Sequence, residues 1–388
     1  MKIIVQKFGG SSVADVQKLE SVAECVASRR ADGYAMVVVV SAMGKTTDAL
    51  FEQALEIDNE PPQRELDMLV TAGERISMTL LTMAIQKLGI EAISFTGSQS
   101  GIITENRHQG ARILEIRPHR IVEALEAGKV VIVAGYQGVS KEREVTTLGR
   151  GGSDTSAVAM AAALGAEVCE IYSDVDGVYS ADPRVCEQAR HLAELTYTEM
   201  QTMADAGAKV LNAQAVDFAR RASIEIHAKQ AHRSSTAMTK IRHEAVETPN
   251  GDVRAVVGAK GLQIRLPVAS MSRVFQTMEQ SGAQLHYGQS DAHDIVSLWL
   301  TAGMSGVADG MLPAEIESLE LEYQPVSIVT AVVSAPSVVE IERGTIALIA
   351  AGLTADECAF TGSAWIWVVP ESQGDLAVRV LHNLWCET

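Results

Sequence analysis

Four short segments combine charged side chains with glycine in patterns suited to phosphate and carboxylate groups. In Lys7-Phe8-Gly9-Gly10-Ser11-Ser12 no side chain screens the backbone N–H groups at the glycines, and a lysine lies beside them. Unscreened N–H groups entering a helix bind anions, although a strand-to-helix turn capped by Ser or Asp would explain the same residues. Thr146–Thr155 joins the loop Gly149-Arg150-Gly151-Gly152 to Ser153-Asp154. A guanidinium fork can clamp a carboxylate. Helix capping accounts for Ser153 and Asp154 but leaves Arg150, set between glycines, unexplained. Glu74 and Arg75 interrupt an otherwise apolar helical segment, Thr71–Ser77, which is costly unless the charges meet partners. Glu74 could seat an ammonium group or form an internal ion pair with Arg75 or with a neighbouring helix. Finally, Ser173-Asp174-Val175-Asp176-Gly177-Val178-Tyr179 runs through Ser180-Ala181 into Asp182-Pro183-Arg184, an acidic turn and a rigid Pro-Arg element that could hold a nucleotide or simply reverse the chain.

Other chemistries find little footing. Gly44-Lys45-Thr46 resembles the end of a Walker A loop, but the position five before Gly44 is Val39 rather than glycine. The nine histidines are scattered, with no HExxH motif and no GxSxG elbow, and His227 and His232 read as surface or satisfied residues. Cys25, Cys169, Cys186, Cys358 and Cys386 lie far apart without metal-ligand spacing, which suits a reduced, cytoplasmic setting and no dedicated metal site. Asp174 and Asp176 could serve a hydrolase, but nearby glycine loops and lysines suit phosphoryl transfer better.

These segments need a scaffold, and the hydrophobic pattern supplies one. To about residue 230, short Val/Ile-rich runs alternate with longer amphipathic ones, the mark of an α/β sandwich. Strands are expected at Lys2–Lys7, Met36–Ser41, Ala92–Phe95, Lys129–Ala134 and Val168–Ser173. Val13, Val16, Leu19, Val22 and Val26 mark one face of a helix, and Leu66–Leu88, Ile121–Ala127 and Ser153–Leu164 read as further helices. Ligands bind beyond the carboxyl ends of strands in such sheets, so loops Gly9–Ser12, Ser41–Thr47, Gly135–Gly138 and Ser173–Val178 should converge.

Around Arg242–Asp252, with Pro249-Asn250-Gly251, the character changes, and the domain boundary is placed there, giving units 1–242 and 253–388. The second holds all four tryptophans, a single lysine, and 15 acidic against 6 basic residues, which disfavours phosphate binding in that half. Its runs read as strand (Val253–Leu266), helix (Ala269–Ser281), strands (Gln284–Tyr287, Ile295–Thr301), a further helix, then a similar series ending at Leu376–Leu384, suggesting two βαββαβ-like units. A net charge of −17 over 388 residues argues against nucleic-acid binding. The most apolar stretches, Met36–Val40 and Ala157–Leu164, fall well short of the roughly 20 residues a bilayer crossing needs, and no secretory signal is evident, so no membrane partner is expected.

Taken together, KFGGSSV, SAMGKTTD, TAGERIS, TLGRGGSDTSA and YSDVDGVYSADPR, in this order and spacing over about residues 1–230, resemble the aspartate kinases of the amino-acid kinase family. The resemblance implies a three-layer α/β kinase fold, with MgATP and L-aspartate lying across the carboxyl ends of the central strands, and transfer of the γ-phosphoryl group to the aspartate β-carboxylate. It assigns Lys7 and Lys209 to charge on the transferring group and Asp154 to orienting the lysines. Nucleotide contacts fall to Gly9, Gly10, Ser11, Ser173, Asp174, Tyr179, Asp182, Pro183 and Arg184. Arg150 takes the substrate α-carboxylate, Glu74 its ammonium, and Ser41, Thr47, Gly152 and Ser153 make polar contacts. Mg²⁺ would be held by phosphate oxygens and water. The acceptor carboxylate, with an ordinary pKa of about 3.9, needs no general base.

Two departures from the family pattern stand out. Lys209 is followed by Val210-Leu211-Asn212-Ala213 where many relatives have Val-Leu-His-Pro. The family's C-terminal half usually holds tandem ACT domains whose effector loops carry a Pro-Gly element. Here the expected turns read Arg265-Leu266-Pro267-Val268-Ala269-Ser270 and Ser334-Ala335-Pro336-Ser337-Val338-Val339, without glycine. The expectation is a divergent ACT-like region kept for homo-oligomerisation, with feedback by lysine or threonine weakened or altered. Ordinary divergence with effector binding intact is the alternative. For the function itself, the alternatives are a kinase of another amino-acid carboxylate and a non-catalytic regulatory partner that keeps a nucleotide or amino-acid site.

Overall fold

The computed structural model describes residues 1–149, 151–231, 237–243, 253–272, 274–275, 284–290, 295–301, 321–334, 337–355 and 357–386. Arg150, His232, the stretch 244–252 in which the boundary was sought, and much of the helix expected over Ala269–Ser281 lie outside the described residues. In chain order the elements are β1 (Ile3–Phe8), α1 (Val16–Ala31), β2 (Ala35–Val40), α2 (Thr46–Ile57), α3 (Gln63–Val70), α4 (Ala72–Lys87), β3 (Ala92–Phe95), β4 (Ile102–Thr104), β5 (Ile113–Ile116), α5 (His119–Glu126), β6 (Val130–Ala134), β7 (Gln137–Ser140), β8 (Val145–Thr147), α6 (Gly152–Leu164), β9 (Val168–Ser173) and β10 (Val178–Tyr179). There follow β11 (His191–Leu192), β12 (Glu194–Thr196), α7 (Tyr197–Asp205), α8 (Ala213–Ala222), β13 (Ile226–Gln230), β14 (Met238–Arg242), β15 (Val253–Pro267), β16 (Gln284–Ser290), β17 (Ile295–Thr301), β18 (Glu322–Val333), α9 (Val338–Ala350), β19 (Glu357–Phe360), β20 (Ala364–Pro370) and α10 (Gly374–Cys386).

The chain forms two compact units that interleave in sequence. One comprises Met1–Val178, Ala193–Tyr197 and Val210–Ala245, the other Tyr179–Leu192, Thr198–Lys209 and Val246–Thr388. The first is a three-layer sandwich about an eight-stranded sheet of order β12-β14-β13-β9-β1-β2-β6-β3, whose central strands β9, β1, β2 and β6 are parallel. Alternation along the strands splits their side chains between two faces. Ile4, Phe8, Met36, Val38, Val40, Val130 and Ile132 pack with Leu19, Val22 and Val26 of α1 and Leu81 and Ile85 of α4. The opposite face meets α6, which is buried from Gly152 to Ala161 and also packs on α8. A helix covered on every side carries no polar face, which is why α6 reads Ala-Val-Ala-Met-Ala-Ala-Ala.

Two details differ from the expected helices. Val16 is exposed, although its spacing places it with the buried stripe. Asp15 caps α1 by accepting from the Lys18 N–H, so Val16 opens the helix at its solvent end. The long helix expected over Leu66–Leu88 is divided at Thr71, whose carbonyl accepts a hydrogen bond from the Gln137 side chain. By length and composition the 25-residue run Gln63–Lys87 meets the requirement for a membrane crossing, which the sequence reading did not anticipate. Half of its apolar window is buried, with Val70, Leu81 and Ile85 fully enclosed in the first unit.

The second unit is built on a six-stranded antiparallel sheet of order β16-β17-β15-β18-β20-β19. The long strands β15 and β18 pair at its centre, so the two ACT-like series of strands and helices share one continuous α+β sheet. On one face Val256, Val329, Ala331, Trp365 and Trp367 pack with Leu348 of α9 and Ala377, Val378 and Leu381 of α10. Ala181 and Cys186 belong to this same core, and Glu199 pairs with Arg254 of β15 at 2.9 Å, both nearly enclosed. These contacts explain why Tyr179–Leu192 and Thr198–Lys209 join the second unit although they precede its main run in sequence.

Candidate active site

In the first unit the carboxyl ends of β9, β1, β2 and β6 finish level, with Tyr172 opposite Phe8, Phe8 opposite Val40 and Val40 opposite Ala134. The loops that leave these ends are tied to one another through the backbone. Gly9 N–H donates to Tyr172 O (3.3 Å), Ser41 N–H to Phe8 O (3.1 Å), Gly135 N–H to Val40 O (3.0 Å) and Gly44 N–H to Gly10 O (3.0 Å). A Cβ on Gly10 would stand 2.8 Å from Ala42 O, and one on Gly135 would stand 2.8 Å from Ser153 Oγ, so both positions admit only glycine without movement of the backbone or of Ser153.

Strand alternation sends Lys7 to the α6 face, where its ammonium lies 2.5 Å from Asp154 Oδ1, and both side chains are almost enclosed. Asp154 is not the helix cap that the sequence suggests. The cap position is Gly151, in the left-handed conformation at φ 70°, and neither Ser153 nor Asp154 makes a capping bond. Starting the helix one residue earlier leaves Asp154 in the first turn, aimed at Lys7 rather than at the backbone. A Cβ on Gly9 would sit 3.5 Å from Lys7 Nζ, so the glycine leaves the space beside the ammonium unfilled. The bare loop therefore fits a phosphate group beside Lys7.

Glu74, in the first turn of α4, is buried and makes no ion pair among the described residues, while Arg75 beside it is exposed. The internal Glu74–Arg75 pair is thereby set aside. Its Oε1 accepts from the Ala42 N–H at 3.1 Å, and Oε2 is enclosed without a hydrogen-bond partner. Burial pushes the carboxyl up to about 7, opposed only by backbone hydrogen bonds. A carboxylate with one unanswered oxygen is suited to an incoming ammonium. Ser77 Oγ donates to Ser41 O at 2.7 Å, fixing the loop after β2 to the same helix, and Thr47, in the first turn of α2, lies close to Gly73.

The sequence reading missed Asp67. On α3 and wholly buried, it accepts from the Thr147 N–H (3.2 Å) and hydroxyl (2.7 Å), from the Gln109 N–H (3.3 Å) and side-chain amide (2.5 Å), and it pairs with His108 Nδ1 at 2.7 Å. It thus pins the end of β8, immediately before Leu148-Gly149. Asp67→Ala would leave several donors enclosed without an acceptor and is expected to lower stability by about 3 kcal/mol, measured by chemical denaturation. Asn212, noted in the sequence only as a departure from the family pattern, packs directly against the helix start, where a Cβ on Gly151 would collide with its side-chain amide.

Within the second unit, Asp182, Pro183 and Arg184 form an exposed turn. The Asp182 carboxylate receives the Arg184 Nε at 3.0 Å and a terminal nitrogen at 2.6 Å, and this guanidinium holds the carboxyl below its ordinary range. Lys209, exposed on a bend, adds to that lowering. Tyr179 meets the ring of His191 edge-on, with centroids 5.4 Å apart. The first unit therefore brings together Lys7, Gly9, Gly10, Ser11, Ser41, Thr47, Glu74, Gly152, Ser153, Asp154 and the β9 terminus with Ser173 and Asp174. The second carries Tyr179, Asp182, Pro183, Arg184 and Lys209, and Arg150 lies outside the described residues.

Comparison with known proteins gives this arrangement a family. The chain is 56% identical over 233 residues to an aspartokinase of Mycobacterium tuberculosis (strain ATCC 25618 / H37Rv), a match that covers 60% of this chain and 55% of that protein. It is 46% identical over 289 residues to an aspartokinase of Bacillus sp. (strain MGA3), covering 72% and 70% respectively. The chain thus spans little more than half the length of the mycobacterial relatives it matches. Its fold is similar to that of E. coli aspartokinase III solved with aspartate and ADP, with a TM-score of 0.83 at 22% identity over 98% of this chain and 99% of the other. The profile of the amino acid kinase family matches residues 2–229, more than half of the sequence, and the chain belongs to that family.

Proposed function

We propose that the chain is an aspartate kinase, transferring the γ-phosphoryl group of MgATP to the β-carboxylate of L-aspartate to give 4-phospho-L-aspartate. The observation that carries this reading is the enclosed Lys7–Asp154 pair beside the unscreened Gly9 backbone, at the carboxyl ends of four parallel strands. Lys7 stabilises charge developing on the transferred group, and Asp154 holds its ammonium in place. Lys209 supplies a second positive charge, and Tyr179, Asp182, Pro183 and Arg184 meet the nucleotide. Glu74 seats the substrate ammonium, Arg150 its α-carboxylate, and Ser41, Thr47, Gly152 and Ser153 complete the polar lining. The acceptor carboxylate is already ionised, so these residues act by position and electrostatics rather than by proton abstraction. Mg²⁺ would enter with the nucleotide, and these residues would leave its coordination to phosphate oxygens and water.

Residues 1–242 carry this catalytic reading and 253–388 a regulatory and self-associating one. The turn after β15 begins with Pro267 at φ −62° and continues through Val268–Ser270, offering no left-handed glycine to expose N–H groups to an effector carboxylate. That turn supports a reading of weakened or altered feedback by lysine or threonine; the second expected turn, at Ala335-Pro336, lies outside the described residues. Purified protein with MgATP, aspartate and hydroxylamine should yield the hydroxamate of the acyl phosphate, with kcat/KM for aspartate well above that for glutamate. No hydroxamate, or a preference for glutamate, would defeat the substrate assignment. In the same assay sub-millimolar lysine and threonine, singly and together, should leave most of the rate intact; strong inhibition there would restore ordinary feedback.

A further inference from the structure

Helix α10 carries one polar side chain in the middle of its buried stripe. Ala377, Val378, Leu381, His382 and Cys386 are all enclosed, and His382 is fully buried. An imidazole on the same buried stripe as Val378 and Leu381 costs free energy that a leucine would not, unless its nitrogens are engaged. His382 Nε2 shares a hydrogen bond of 2.9 Å with the hydroxyl of Ser180, itself buried and 202 residues away in sequence.

Ser180 is a junction for three elements. Its N–H donates to Arg190 O at 2.9 Å, and its Oγ accepts from the Arg190 N–H at 2.8 Å, closing the hairpin that β10 and β11 form. Its carbonyl accepts from the Val256 N–H of β15 at 2.7 Å. Two residues further on, Asp182 O accepts from the N–H groups of Val185 and Cys186, both at 2.9 Å, and its carboxylate holds Arg184. Every one of these groups lies in the second unit. The base of the Tyr179–Arg184 turn is therefore fixed by the C-terminal helix and the first strand of the regulatory sheet.

We propose that His382 is a positioning residue for nucleotide binding: through Ser180 it sets the turn from which Tyr179, Asp182 and Arg184 meet ATP. This rests on the reading of that turn as a nucleotide contact. His382 touches neither substrate nor nucleotide. It limits the conformations of a turn whose tip is exposed, so its loss should weaken ATP binding and leave the aspartate site unaffected. A residue that only filled the core would alter stability without separating the two substrates.

The test uses the full chain and compares apparent KM values for MgATP and aspartate in four variants, with folding checked by circular dichroism. His382→Leu and Ser180→Ala are each expected to raise the KM for MgATP about fivefold while moving that for aspartate less than twofold. His382→Gln, whose amide reaches about as far as Nε2, should restore the wild-type value, whereas His382→Asn, which reaches only to the place of Nδ1, should not. Should His382→Leu fail to fold, Ser180→Ala and the Gln/Asn pair give the same reading. Unchanged KM for MgATP in folded variants, equal changes for both substrates, or equal behaviour of Gln and Asn would each overturn the proposal. Arg184→Ala tests the underlying reading separately: if it leaves the KM for MgATP unchanged, the turn is not a nucleotide contact and the proposal falls with that reading.

Discussion

Lys7→Ala is expected to lower kcat by about three orders of magnitude, or about 4 kcal/mol of transition-state stabilisation, with a smaller effect on the KM for aspartate. Lys7 Nζ would stand 3.5 Å from a Cβ on Gly9, so its ammonium faces the bare loop, and the proposed reaction uses no general base or covalent nucleophile to share the task. The substitution also strands the nearly enclosed Asp154 carboxylate, so stability should fall by about 3 kcal/mol. That second effect must be separated from the first. The double variant Lys7→Ala/Asp154→Ala should recover most of the lost stability and none of the lost rate. Hydroxamate formation by a well-folded Lys7→Ala protein at near wild-type rate would remove Lys7 from the mechanism.

Glu74 gives the other large effect, through pH. With its carboxyl near 7, the charge that receives the substrate ammonium is lost as pH falls, and the KM for aspartate should rise about tenfold between pH 8 and pH 6. Glu74→Gln should abolish this dependence and raise the KM at pH 8 by about tenfold or more, the usual loss for a charge-assisted hydrogen bond. The stability consequence has the opposite sign. The folded-state value lies above the ordinary 4.5, so the folded protein binds the proton more tightly than the unfolded chain does. Stability is therefore highest below about pH 4.5 with respect to this group and falls as pH rises through 7, a penalty of about 3 kcal/mol. The glutamine leaves an amide N–H without an acceptor, which returns part of that gain. Net stabilisation of the unliganded protein by about 1–2 kcal/mol is expected at pH 8, vanishing near pH 5. Urea denaturation at both pH values measures it, and a variant no more stable than wild type at pH 8 would show that Glu74 is not a strained carboxylate.

These predictions also show how local and distant information divide. The α/β order was legible because strand and helix periodicities differ, and the parallel strands β1, β2, β6 and β9 fall within a residue or two of the hydrophobic runs that announce them. The glycine-rich segments with Lys7, Glu74 and Asp154 were legible for a related reason: charges beside glycines, or inside an apolar helix, are costly to keep without a use. Their partners were less so. Asp154 reads as a helix cap because Ser-Asp before an apolar run is a capping pattern, and only the left-handed Gly151 displaces it into the first turn. Asp67 looks like an ordinary acidic residue in an amphipathic helix, and its partners lie 41 to 80 positions away.

What the sequence by itself determined is the sandwich architecture, the order of the phosphate-handling loops and the family they resemble, because each of these is written within windows of a few to twenty residues. The tertiary structure alone decided that the Lys7–Asp154 pair, which the resemblance had implied, is nearly enclosed, that Glu74 keeps an unanswered oxygen, and that Tyr179–Leu192 and Thr198–Lys209 are built into the core of the second unit. The physical reason is common to all three. Burial and pairing depend on which residues from remote parts of the chain enclose a group, and neither periodicity nor spacing carries that information; Ser180 and His382 meet across 202 residues.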